Sequence, residues 1–209
     1  MNRTIESQGI KRLRGHALTA STAVIIALLG PVAIAAATLT FGSSQDTSEA
    51  ELGMGLVAIG FLLTVLVWPV AGILVIRWLV RARANAELLA PDGHRLSPGW
   101  AIAGWLVPLV NLVVPALVVT DIVRASNPTG RNLGVVGVWW SAWLAAPVLN
   151  IVGIISLNQL GFPAGTNVLA QCLLAAAAAY ITAALSFRSL ALTIARWQDE
   201  RVTSSAGWG

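Results

Sequence analysis

The stretch NLGVVGVWWSAWLAAPVLNIVGIISLNQLGFPAGTNVLAQCLLAAAAAYITAALSF, residues 132–187, contains no aspartate, glutamate, lysine or arginine. A charge at the centre of a bilayer costs at least ~2.5 kcal/mol, and one membrane-spanning helix needs about 20 apolar residues. This stretch is therefore long enough for two spans. Three further uncharged stretches, at 15–45, 52–76 and 96–120, are each long enough for one. The sequence predicts an all-α, polytopic membrane helix bundle with five hydrophobic segments.

The composition leaves no room for a separate soluble domain. The chain of 209 residues is 56% hydrophobic and 11% charged, with a mean hydropathy of +0.77, whereas soluble domains carry about 25% charged residues. We expect a single transmembrane helical domain at 17–197, preceded by a basic cytoplasmic segment at 1–16 and followed by a polar tail at 198–209. The basic residues lie beside the spans, so the expected partner is the lipid bilayer and not nucleic acid.

The first hydrophobic segment follows a basic start, as in a signal peptide. The apolar run at 17–41 is also long enough to span a membrane, which favours an uncleaved anchor.

The distribution of basic residues predicts that only four of the five segments span. If all five cross, eight basic residues lie on one side and five on the other; if the third segment returns to the side it entered from, all 13 share one side. The positive-inside rule favours the second arrangement, with both termini in the cytoplasm. A kinked third helix that spans the bilayer completely is the alternative.

The third segment, WAIAGWLVPLVNLVVPALVVTDIVRAS, is broken by its own residues. Pro108, Asn111 and Pro115 lie within eight positions, and each proline removes a backbone donor and disfavours helix at the residue before it. Such a break is tolerated at membrane depth only where protein or a water-filled cavity covers it. We expect a helix that enters, a turn across the prolines, and an amphipathic helix at 115–125 that returns.

Four polar residues are candidates for a site. Arg81 and Asn85 are one turn apart on the predicted extension of the second segment, and Asp121 lies on the returning helix. We interpret these three as a structural cluster that fixes the hairpin, with a ligand site as the alternative. Asn111 is interpreted as a cap for the broken backbone, with a role in a solute pathway as the alternative.

No residue pattern points to catalysis. His16 and His94 are far apart in the sequence and have no third metal ligand at a suitable spacing. The chain shows no nucleophile with a base, no phosphate-binding loop and no paired carboxylates. We expect no enzymatic activity, no cofactor and no metal. Asn150 and Gln171, inside the last two spans, are interpreted as an interhelical hydrogen-bonded pair.

The stretch from Trp78 to Ser126 resembles DUF4328, an uncharacterised bacterial membrane family. The resemblance covers about 55–200, and its most specific part is the run Trp105, Pro108, Asn111 and Pro115. The other matching positions are Trp78, Arg81, Asn85, Ala86, Ser97, Pro98, Gly99, Trp100, Gly104, Asp121, Trp139, Trp140, Trp143, Arg196 and Gln198. The chain departs at Val114 and Ala116, where the family often has a basic and an aromatic residue. The resemblance implies a multi-pass protein of the bacterial plasma membrane, with no assigned activity.

Two functional classes remain. The first is a non-enzymatic accessory or scaffold protein with membrane-protein partners or self-association. The alternative is a small-solute or ion transporter or channel that uses the broken segment 100–120, because transport sites often lie at broken helices. The spans hold no acid or base of the kind that marks ion relays, which favours the first class.

Overall fold

The computed structural model describes residues 10–42, 44–127 and 133–206, and side chains through Arg201. Within these ranges the protein contains helices and no strand, as predicted. The helices, numbered in chain order, are α1 (Arg14–Ala27), α2 (Leu29–Phe41), α3 (Thr47–Leu89), α4 (Trp100–Leu106), a 3-10 turn (Val110–Leu112), α5 (Val114–Ser126), α6 (Leu133–Leu160) and α7 (Ala164–Ala206).

Four stretches of helix are long and apolar enough to cross a membrane. They are Arg14–Phe41, Thr47–Leu89, Leu133–Leu160 and Ala164–Arg201. These stretches correspond to four of the five predicted segments, and the broken third segment is not among them.

Two helices extend beyond the uncharged stretches that predicted them. Helix α3 begins at Thr47, so Glu49 and Glu51 belong to its first turns. It ends at Leu89, just before Ala90 and Pro91, where a proline disfavours helix at the preceding residue. Helix α7 continues to Ala206, so residues 198–206 of the expected polar tail are helical.

The chain forms two compact units. Unit 1 comprises Met1–Thr22, Gly72–Val138 and Ser186–Gly209, and unit 2 comprises Ala23–Ala71 and Trp139–Leu185. Helices α1, α3, α6 and α7 each contribute residues to both units. Each unit is described separately below.

The first candidate span is interrupted within unit 2, just before Pro31. Helix α1 ends at Ala27 and α2 starts at Leu29. Pro31 has no N–H for the carbonyl of Ala27, four residues earlier. The indole Nε1 of Trp68 donates to that carbonyl at 3.0 Å. The indole therefore replaces the missing backbone donor, as a proline inside a span requires.

Close helix approaches and aromatic rings pack the rest of unit 2. A Cβ at Gly30 would lie 2.7 Å from the carbonyl oxygen of Gly60, so α2 and α3 meet backbone to backbone, as small residues permit in membrane helices. Trp68 stacks on Trp143 at 5.2 Å and meets the edge of Tyr180 at 5.1 Å. These rings join α3, α6 and α7.

The third segment is a helical hairpin in unit 1. Helices α4 and α5 have 7 and 13 residues, which is too short for either to span a bilayer alone. Between them Leu109 has a φ of 64°, a backbone conformation that residues other than glycine rarely adopt. A Cβ at Gly104 would lie 2.5 Å from Cγ1 of Val114, so α4 and α5 pack side by side. The predicted break is confirmed, because the third segment is not one continuous helix. Its return to the side from which it enters stays a prediction.

Candidate functional site

A buried carboxylate closes the base of this hairpin, which we define as residues 95–126. Asp121 is 1% exposed. Its Oδ1 accepts a hydrogen bond from Nε of Arg95 at 2.8 Å, and its Oδ2 accepts one from the Arg95 backbone N–H at 3.1 Å. Nη2 of Arg95 also lies 2.8 Å from Oδ1. Because Arg95 precedes α4 and Asp121 lies in α5, these bonds bring the two ends of the hairpin together.

The expected cluster of Arg81, Asn85 and Asp121 does not form. Arg95 takes the place that we assigned to Arg81, because the turn after α3 returns the chain to α5. Arg81 lines a surface groove instead, and its Nε is buried without a hydrogen-bond partner among the described residues. An ion pair does join the two ends of the hairpin, but the partner of Asp121 is Arg95 and not Arg81.

Asn85 attaches the segment before α1 to α3. It is 2% exposed. Its Oδ1 accepts from the Lys11 backbone N–H at 3.1 Å, and its Nδ2 donates to the Lys11 carbonyl at 2.8 Å. The same Nδ2 donates to Oε1 of Gln198 at 2.9 Å. One amide side chain thus satisfies both backbone groups of a residue 74 positions away.

Gln198 extends this arrangement to three helices. It is fully buried, and its Nε2 donates to the Ala82 carbonyl at 3.1 Å and to Oγ of Ser126 at 2.9 Å. With Asn85 it joins α3, the end of α5 and α7. We name the set Asn85, Ser126 and Gln198, with the Lys11 and Ala82 backbone, the Gln198 network. Each such buried bond contributes about 1 kcal/mol, and more is lost when a partner is left unsatisfied.

The residue after Gln198 caps the first helix. Asp199 accepts hydrogen bonds from the backbone N–H groups of Leu13 at 2.8 Å and Arg14 at 3.3 Å. A carboxylate at a helix N-terminus satisfies free donors and complements the helix dipole. Here the cap comes from α7, so the far end of the chain fixes the start of α1.

The run of Trp105, Pro108, Asn111 and Pro115, which breaks the third segment, lies at the tip of the hairpin. Pro115 is the second residue of α5, where its missing N–H would have had no helical partner. The Asn111 backbone N–H donates to the Val107 carbonyl at 3.0 Å. The Asn111 side chain makes no hydrogen bond with the described residues, and its Oδ1 is buried. The backbone cap that we expected from the Asn111 amide is therefore not present.

The expected pair of Asn150 and Gln171 in unit 2 is also not formed. Gln171 is exposed. Asn150 lines a cavity of about 160 Å³ together with Thr64, Trp68 and Tyr180. No hydrogen bond joins the two amides.

Sequence reasoning missed Arg95, Gln198 and Asp199. A signal was present for Gln198, which is one of the positions at which the chain resembles DUF4328. Among the described residues, no three histidine, cysteine or carboxylate side chains lie together as a metal site would require.

Comparison with known proteins gives one match. No curated protein and no solved structure matches the chain significantly. The model of the family described as "Domain of unknown function (DUF4328)" matches residues 42–199, which include α3, the hairpin, α6, and α7 as far as Asp199. This match extends over about three quarters of the chain, including Asn85, Arg95, Asp121 and Gln198, and the chain belongs to the DUF4328 family.

Proposed function

We propose that this protein is a non-enzymatic accessory or scaffold protein of the plasma membrane, with unit 1 on the cytoplasmic side. The observation that carries the proposal is how unit 1 uses its buried polar groups. Asp121, Asn85, Gln198 and Asp199 all bond segments that are distant in the sequence. Buried polar groups that bond one another rigidify a structure, and a rigid surface suits the binding of a partner protein.

The outer surface of unit 2 supports a location within the bilayer. Many of its large apolar side chains are exposed, although soluble proteins rarely expose extended apolar patches. Examples are Ile59, Phe61, Leu62, Val65, Leu66, Ile151, Ile154, Leu174 and Leu185. Lipid chains are the natural contact for such a surface.

The charges support the proposed orientation. Every lysine and arginine among the described residues belongs to unit 1, whereas the charged residues of unit 2 are Asp46, Glu49 and Glu51. Because cytoplasmic segments are enriched in lysine and arginine, unit 1 is assigned to the cytoplasmic side.

The hairpin then enters the membrane from the cytoplasm and returns. Its tip is apolar and exposed: Leu106 is 71% exposed and Leu109 is 80% exposed. Its base carries Arg95, Asp121 and Arg124. A re-entrant element needs an apolar tip that can enter the bilayer and a charged base that stays in water, and the hairpin has both.

Photo-crosslinking in intact membranes tests the scaffold role. A photoreactive residue at Arg124 or Arg196, both exposed in unit 1, should give a discrete adduct with a membrane protein or with a second copy of the chain. The same residue at Phe61, exposed in unit 2, serves as the matched control and should give lipid adducts. Lipid adducts alone from all three positions would contradict the proposal.

A transporter or channel is the second candidate, and one observation favours it. The Asn111 Oδ1 is buried at the tip of the hairpin without a hydrogen bond, and a buried unsatisfied polar group calls for an explanation such as a passing solute. In proteoliposomes, the scaffold role predicts ion and small-solute flux equal to that of empty vesicles. Flux that Asn111→Leu abolishes, with stability unchanged, would establish transport instead.

A further inference from the structure

A groove on the surface of unit 1 combines cations with apolar side chains. It has a volume of about 710 Å³ and lies between the segment before α1, the second half of α3 and the start of α4. Its polar lining includes Lys11, His16, Arg77 and Arg81, and its apolar lining includes Ile76, Val80, Leu88 and Ile102.

The positive charge of the groove is not neutralised by neighbouring acids. The side chains of Lys11, Arg77 and Arg81 form no ion pair with a described residue. Glu87 is the acid in the lining, and it is already bonded to Nε of Arg83 at 3.1 Å. The buried Nε of Arg81 also lacks a hydrogen-bond acceptor. The groove therefore presents several donors and a net positive charge, and the acid in its lining is already bonded to Arg83.

We propose that this groove binds the headgroup of an anionic phospholipid, with an acyl chain along its apolar wall. Arg77 and Arg81 are four residues apart on one face of α3, so both guanidinium groups can reach the same phosphate. Basic pockets beside membrane helices on the cytoplasmic side attract anionic lipids. A free phosphate would use the same cations but would leave the apolar wall without a contact, so the lipid is the better fit.

The Gln198 network positions one wall of this site. Asn85 bonds both backbone groups of Lys11, and this clamp places Lys11 at the groove. Asn85 is accordingly a positioning residue for lipid binding, and Lys11 provides the third cation. A change in the Gln198 network is therefore expected to change the position of Lys11 in the groove.

Native mass spectrometry of the detergent-purified, full-length protein tests the proposal. We expect a 1:1 adduct with phosphatidylglycerol and none with phosphatidylcholine at the same concentration. Since one basic residue near a lipid surface contributes on the order of 1 kcal/mol, Arg77→Gln and Arg81→Gln should each weaken the adduct about fivefold. Arg77 is exposed, so Arg77→Gln keeps the test decisive if Arg81→Gln fails to fold.

The matched control is Arg124→Gln, which removes an exposed arginine of unit 1 outside the groove and should leave the affinity unchanged. Equal binding of both lipids, or an equal loss in the control, would overturn the proposal. Complete displacement of phosphatidylglycerol by inorganic phosphate would also overturn it and assign the groove to the free anion.

The inference rests on the membrane location proposed above. Extraction with alkaline carbonate tests that location separately, and release of the protein from membranes would refute it. A protein that resists carbonate but does not select phosphatidylglycerol would refute the lipid site alone.

Discussion

Units 1 and 2 are built largely from the same helices but are stabilised by different interactions. In unit 1, side chains such as Asn85, Gln198 and Asp121 bond residues far away in the sequence. In unit 2, α2 and α3 approach closely at Gly30, and aromatic rings around Trp68 fill the space between helices. The difference follows the proposed surroundings: lipid gives apolar helices no hydrophobic reason to associate, so close packing must stabilise them.

The largest expected effect is in the close packing of unit 2. The Cβ added by Gly30→Leu would lie 2.2 Å from Oγ1 of Thr64, 2.7 Å from the Gly60 carbonyl oxygen and 2.9 Å from the Thr64 backbone nitrogen. Two of these atoms belong to the backbone, so we expect a cost at or above the upper end of the ~1–3 kcal/mol typical of overpacking. Thermal unfolding in detergent measures it.

Gly55→Leu is the matched control, because a Cβ at Gly55 meets nothing within 4 Å. It should leave the unfolding temperature within a few degrees of the parent. Equal losses in the two variants would show that close approach at Gly30 does not stabilise unit 2.

The Arg95–Asp121 ion pair of unit 1 predicts that removing one partner costs more stability than removing the other. Arg95→Ala leaves a carboxylate that is 1% exposed without its cation, whereas Asp121→Ala frees an arginine side chain that is 44% exposed. Breaking a fully buried pair costs about 3–5 kcal/mol, and partial exposure lowers our expectation for Arg95→Ala to ~2–3 kcal/mol. Asp121→Ala should cost less, because Arg95 can return to water.

Unfolding by titration with sodium dodecyl sulfate distinguishes these costs. If Asp121→Ala is at least as destabilising as Arg95→Ala, burial of the carboxylate is not what makes this pair important.

A smaller effect tests the indole of Trp68 as a hydrogen-bond donor. Trp68→Phe removes the hydrogen bond to the Ala27 carbonyl, which should contribute about 1 kcal/mol to its cost, in addition to the packing lost against Trp143 and Tyr180. Pro31→Ala supplies a backbone N–H for the same carbonyl, so Trp68→Phe should cost less in that background. A double-mutant cycle with no coupling would show that the indole does not replace the donor that Pro31 lacks.

The smallest effect is at the start of α3. The Ser48 hydroxyl and the backbone N–H groups of Ser48 and Glu49 lower the pKa of Asp46 below its ordinary value of 3.8. A lowered folded-state pKa adds stability that is complete above the ordinary value and is lost as the pH falls through the lowered one. The unfolding temperature of the parent should therefore fall slightly more on acidification past 3.8 than that of Asp46→Asn, which retains a capping side chain. Identical pH profiles would contradict this role.

The sequence predicted the features that depend on local constraints. Uncharged runs located the four candidate spans, because the bilayer penalises charge wherever it occurs. Pro108 and Pro115 located the break in the third segment, because a proline disrupts helix regardless of its neighbours.

The choice of polar partners could not be predicted in the same way. The residue pattern pointed to Arg81 as the partner of Asp121 and not to Arg95, because the turn after α3, which brings Arg95 to Asp121, has no signal of its own in the sequence. Gln198 lies in the stretch that the sequence predicts to be a polar tail. It is buried because α3, α5 and α7 converge on it, and that convergence leaves no periodic signal in the sequence.

Cysteine accessibility in intact cells tests the central claim most directly, namely that the hairpin returns to the side it enters from. In a Cys172→Ser background, single cysteines replace Asp92 before the hairpin, Arg124 near its end and Gln45 in unit 2, all exposed. With a membrane-impermeant thiol reagent, we predict that Gln45→Cys reacts in intact cells and that Asp92→Cys and Arg124→Cys react only after the cells are opened. Reaction of Arg124→Cys in intact cells while Asp92→Cys stays protected would mean that the third segment crosses the membrane, and would contradict the account.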